Sequence, residues 1–84
     1  MKELKDTIEM MTSDDYKERF KAEYWQTKIR YQKLHNMLVK HDAGTLAFTP
    51  TCPIELLRIQ KSYMGNYLNK LEVRAEIEGI VLED

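Results

Sequence analysis

Apolar and polar positions along this chain keep a helical rhythm. From about Asp14 to Asp42 no Gly or Pro intervenes, and Phe20, Tyr24, Thr27, Tyr31, Leu34, Leu38 and His41 recur at alternating spacings of four and three. Residues at these spacings share one side of a helix, so they form a heptad seam, extended by one turn at Tyr16. Thr12-Ser13-Asp14-Asp15 offers capping side chains and acids for the helix dipole at the start, and Ala43-Gly44 supplies the stop. A third segment is predicted over 53–78. Pro53 sits at its first position, Thr51 or Cys52 caps it, and Gly79 ends it. Leu57, Met64, Leu68, Leu71 and Ala75 form one stripe on it, and Leu56, Ile59, Tyr63, Val73 and Ile77 a second on another side. Before the long segments, Leu4, Ile8 and Met11 predict a short helix within 1–12.

The predicted fold is all-α: an antiparallel hairpin of two long helices, 14–42 and 53–78, with a short N-terminal helix, in a single domain over 1–84. The connector 43–52 contains Pro50, which forbids a continuous helix, and Leu46 and Phe48 are expected to fold back onto the hairpin end. In the tail, 79–84, Ile80-Val81-Leu82 is expected to dock. Gly65 lies mid-helix, where Gly costs about 1 kcal/mol relative to Ala, which points to close approach of a backbone or a bulky ring. Two apolar stripes exceed what one facing helix covers, so a homo-oligomer is expected.

Composition narrows the class. A chain of 84 residues buries only about 60% of its unfolded surface, and domains of this size often gain stability by association. The net charge of −1 gives no general reason to expect DNA or an anionic membrane as partner. Cys52 is the single cysteine, no apolar leader begins the chain, and no stretch is long enough to span a bilayer. These features lead to the expectation of a cytoplasmic protein.

The charges are unevenly spread. Residues 28–61 hold six Lys/Arg (Lys28, Arg30, Lys33, Lys40, Arg58, Lys61) against Asp42 and Glu55, a net +4, while the segments on either side are net negative. The connector half of the hairpin is therefore basic and its open end acidic. Lys28, Tyr31 and His35 line one side of the second helix, and the N-terminal end of the third points into the same half. A cation, a ring and a helix dipole together suit a phosphate-bearing ring system, so Lys28, Tyr31, His35, Arg58 and Lys61 are the candidate ligand-binding residues. Tyr24 and Tyr31 lie on the seam, where packing is the plainer role. Trp25 lies off it, one turn before Ile29. Trp25, Ile29, Ile59 and Tyr63 are the candidate interface residues.

Other chemistry has little support. His35 and His41 are six apart and cannot act as an i, i+4 ligand pair, and no Cys-x-x-Cys or Glu-x-x-His pattern occurs, so neither a metal nor a cofactor is expected. Cys52 has no orienting partner in the pattern, and the glycines do not form a phosphate loop. No catalytic residue is assigned.

The runs DYKERFKAEYWQTKIRYQKLHNML and TPTCPIELLRIQKSYMGNYLNKLEVRAEIEGI resemble a family of small phage-encoded, crAss-phage-related helical hairpin proteins, over residues 15–80. Tyr-Lys-x-Arg at 16–19, Met-Gly-x-Tyr-Leu at 64–68 and Leu-Glu-x-Arg at 71–74 carry the resemblance. In size, hairpin plan and basic–aromatic patch the chain is also similar to phage anti-defence proteins that sequester cyclic oligonucleotides and cyclic ADP-ribose isomers. The resemblance implies a non-catalytic binder of a nucleotide-derived immune signal, acting as a homo-oligomer in the cytoplasm of an infected bacterium. The alternative is an interaction module that covers a host defence protein. A small hydrolase using His35 or His41 ranks below both.

Overall fold

The computed structural model describes residues 3–83, so the first two residues of the predicted N-terminal helix and the last residue of the tail lie outside them. A 3-10 turn over Leu4–Thr7 leads into α1 (Ile8–Met11), followed by α2 (Tyr16–Ala43) and α3 (Ile54–Glu78). The short helix expected over 1–12 is thus two brief pieces. Thr7 gives the reason: its hydroxyl donates to the Leu4 carbonyl at 2.7 Å, a local bond of the kind that competes with a continuous helix.

The long helices begin and end where side-chain chemistry requires. The Asp15 carboxylate accepts from the Lys17 amide at 2.9 Å and caps α2. At the other end Gly44 adopts φ 77°, and the amides of Gly44 and Thr45 bond to the carbonyls of His41 and Lys40. Pro53, rather than Thr51 or Cys52, occupies the N-cap of α3, and no side chain caps that end. Gly79, at φ 69°, turns the chain so that the Ile80 amide reaches the Ala75 carbonyl at 2.8 Å.

Cross-helix pairs give the register. Tyr16 bonds to Glu78, Tyr24 to Glu72 and Arg58 to Asp42, while the Tyr31 ring lies against Gly65. As the residue number rises on α2 it falls on α3, so the hairpin is antiparallel. Its core is concentrated at the open end, where Phe20, Tyr24, Leu68, Leu71, Ala75 and Ile80 are buried together, with Tyr31, Trp25 and Leu82 packed against them. Arg74 lies over the Phe20 ring, its guanidinium 4.9 Å from the centroid, and also bonds the Tyr16 hydroxyl.

Two surfaces differ from expectation. Ile29 is only 8% exposed. It shares a face of α2 with Ala22 and Gln26, and the N-terminal segment packs there, with Gln26 donating to Thr7 at 2.9 Å. Trp25 is half-buried, its indole N–H bonding the Leu82 carbonyl at 2.8 Å as the tail folds back. The Trp25–Ile29 pair predicted as an interface is therefore covered by the chain's own ends. Phe48, expected to fold back, is exposed, as is Val81 in the tail.

Tyr24 ties the acidic end together. Burial, then its hydrogen bond and charge repulsion from Glu72, push its phenol up from 10.0 to about 12. The folded state thus favours the neutral phenol. That contribution is complete below pH 10 and is lost as the pH rises from 10.0 toward about 12. Thermal melts across this window should show a steeper loss of stability for the parent than for Tyr24→Phe. Parallel curves would contradict the assignment.

Candidate functional site

The seam residues of the basic half do not fill the space between the helices. Beyond Tyr31, α2 presents His35, Leu38, Val39 and Asp42, and α3 answers with Arg58, Lys61, Ser62, Gly65 and Asn66. These residues wall an open cavity of about 670 Å³, a volume within the range of small-molecule sites.

Gly65 is what lets the ring in. A Cβ built on it would lie 3.3 Å from Cε1 of Tyr31 and 3.6 Å from its hydroxyl, so a side chain there would press directly on the ring. The ring thus rests against bare backbone. The ammonium of Lys61 lies over the ring, 5.8 Å from its centroid. Among the described residues Lys61 has no carboxylate partner, and His35, which lines the same cavity, has no hydrogen-bond partner.

The far end of the cavity is closed by an ion pair. The Arg58 guanidinium donates to both oxygens of Asp42, at 3.1 and 2.5 Å, and its Nε lies 3.4 Å from Glu55. The hydrogen bonds from Arg58 hold the Asp42 carboxyl down at about 2, with His41 at 3.5 Å adding to the effect. Asp42 is therefore an anion at all physiological pH values.

Of the five candidate ligand residues, Tyr31, His35, Arg58 and Lys61 line this one cavity. Lys28 does not; it stands one turn nearer the open end, half-buried. Asp42, Ser62, Gly65 and Asn66 are additional walls. For the α3 walls a signal was present in the spacing, since Arg58, Ser62 and Gly65 follow each other at four and three, between its two apolar stripes. The candidate interface residues Ile59 and Tyr63 do not line the cavity, and both are exposed, Tyr63 to 71%.

Other chemistry finds no assembly among the described residues. No group of three or more His, Cys, Asp or Glu is placed to hold a metal ion, and no helix is long and apolar enough to cross a membrane. Cys52 is a free, half-buried thiol in the connector.

No curated protein and no solved structure matches the chain. A family model described as Sequestin matches residues 14–77, from the cap of α2 to the last turn of α3. That span takes in the whole cavity and 64 of the 84 residues, and on this ground the chain belongs to the Sequestin family.

Proposed function

We propose that the protein captures a nucleotide-derived anionic signal, of cyclic oligonucleotide or cyclic ADP-ribose type, and holds it without altering it. In this reading it is a phage-encoded inhibitor that works in the cytoplasm of a bacterial host and starves a defence pathway of its messenger. The cavity carries the proposal: a ring resting on bare backbone, an ammonium with no carboxylate partner among the described residues and an imidazole line one hollow of suitable volume. The family name, which speaks of sequestration, supports a binding role. Holding a ligand needs charge and stacking but no nucleophile, which suits a cavity whose lining carboxylate, Asp42, is engaged by Arg58.

Magnitudes allow useful affinity. A charge-assisted hydrogen bond contributes about 1.5–3 kcal/mol, and stacking on a ring about 1–3 kcal/mol per base. Two charge-assisted bonds and one stacked ring sum to about 4–9 kcal/mol, against about 5.5 kcal/mol for binding at 100 µM, so a measurable affinity depends on a preformed wall that keeps ordering costs low.

The exposed stripe of α3 favours a second element of the proposal, association of copies of this chain. Leu56, Ile59, Tyr63, Val73 and Ile77 are each at least half exposed, and Ile77 reaches 79%. They form two groups on one side of a 25-residue helix, 56–63 and 73–77, separated by Asn66 and Lys70. Exposed apolar groups of this size mark interaction surfaces. A self-pairing α3 covers them; the alternative occupant is a host defence protein using the same face.

Calorimetry with cyclic dinucleotides, cyclic trinucleotides and cyclic ADP-ribose isomers tests the binding role. At least one ligand should bind tighter than about 100 µM, roughly 5.5 kcal/mol, and Lys61→Ala should weaken it by about tenfold or more. No binding at that level, or equal binding by the variant, would refute the site. Light scattering at tens of micromolar tests the association. The parent should give a multiple of 10.0 kDa and the double variant Tyr63→Glu/Ile77→Glu the single mass, whereas a 10.0 kDa parent would refute it.

A further inference from the structure

We infer that Asp42 sets the charge of the ligand the cavity accepts, by keeping Arg58 out of anion binding. The inference rests on the binding role proposed above and narrows its ligand class. By count the cavity looks strongly basic, since Arg58, Lys61 and His35 all line it. The geometry says otherwise. Both terminal nitrogens of Arg58 are on Asp42, and its Nε faces Glu55. The guanidinium thus has each of its nitrogens directed at a carboxylate, and the pair is neutral. Among the described residues, the cavity then offers one uncompensated permanent cation, Lys61, and the imidazole of His35, which is charged only when protonated.

The ion pair contributes little to stability, because Asp42 and Arg58 have half-exposed side chains. Their effect is on the field inside the hollow. A neutral pair at one end gives a run of phosphates nothing to bind, while the remaining lone pairs of Asp42 can still accept hydrogen bonds from ligand N–H or O–H groups. The matched ligand carries one or two negative charges on phosphodiesters, together with a ring and donor groups. A nucleoside triphosphate, with its charges bunched at one end, is rejected. Sequestering a scarce signal in a cell full of triphosphates requires this discrimination, and a simple cluster of lysines and arginines would not provide it.

The test compares cyclic di-AMP, ATP and inorganic tripolyphosphate by calorimetry at fixed ionic strength, on the parent, Asp42→Asn and Asp42→Asn/Arg58→Gln. Circular dichroism confirms that each variant is helical. The parent should bind cyclic di-AMP at least about tenfold tighter than ATP, one charge-assisted contact's worth of discrimination. Asp42→Asn should gain about tenfold or more for ATP and tripolyphosphate, and the double variant should lose that gain, because the gain comes from the released Arg58. A parent that prefers ATP, or an Asp42→Asn variant that shifts all ligands alike, overturns the inference. If the parent binds neither nucleotide, the cyclic dinucleotide reading of the binding role fails by itself, and the cyclic trinucleotide and cyclic ADP-ribose readings rest on the ligand panel above. The charge gate then stands on tripolyphosphate binding by Asp42→Asn alone, and the absence of that binding overturns it.

Discussion

Tyr31 rests on the bare backbone of Gly65, and this contact divides the hairpin into two unlike halves. On one side of it the seam of α2 meets Leu68, Leu71 and Ala75, and the rings of Phe20 and Tyr24 fill the space between the helices. On the other side the facing positions become His35, Asp42, Arg58, Lys61 and Ser62, whose polar heads cannot be packed away without losing their solvation or their partners. The helices therefore hold a dry core at one end and a wet hollow at the other. A side chain at 65 would meet the ring first, so the glycine's unfavourable helix propensity is accepted for the sake of that approach.

The same division orders the charges. The acidic end uses its carboxylates on packing: Glu72 takes the Tyr24 hydroxyl, Glu78 the Tyr16 hydroxyl, and Arg74 bridges Tyr16 and Glu78 above Phe20. The basic end uses only part of its charge this way. Arg58 is spent on Asp42, while Lys61 stands over a ring with no counter-ion among the described residues. What distinguishes the cavity is this contrast between a satisfied and an unsatisfied cation a few residues apart.

Periodicity carries much of this fold. The seam from Phe20 to Leu38 and the two stripes of α3 are visible because a 28-residue and a 25-residue helix repeat their faces many times, and Gly44 and Gly79 mark their ends. The N-terminal pieces repeat no face. Whether a four-residue apolar spacing becomes α-helix or a 3-10 turn is decided there by one hydroxyl, that of Thr7, and by the Gln26 amide that donates to it from α2. Trp25 and Ile29 show the same limit from the other side. Their exposure is a property of where the chain's two ends settle, and no local pattern encodes that. In the cavity, Tyr31, His35, Arg58 and Lys61 are recognisable by type and spacing. The pairing of Asp42 with Arg58 needs the antiparallel register, because the two are 16 residues apart and meet only across the connector.

The claim that the hollow beside Gly65 is the place of capture is tested most directly by filling it. Gly65→Leu gains helix propensity but overpacks the Tyr31 ring, at a cost of about 1–3 kcal/mol. Parent and variant, both checked for helicity, are incubated with a cyclic dinucleotide or a cyclic ADP-ribose isomer, separated from free ligand, and denatured to release what they hold. The account predicts that the parent depletes a ligand and returns it chemically intact, while the variant stays helical and depletes none. A helical Gly65→Leu protein that captures as much ligand as the parent, or a parent that returns altered ligand, would contradict it.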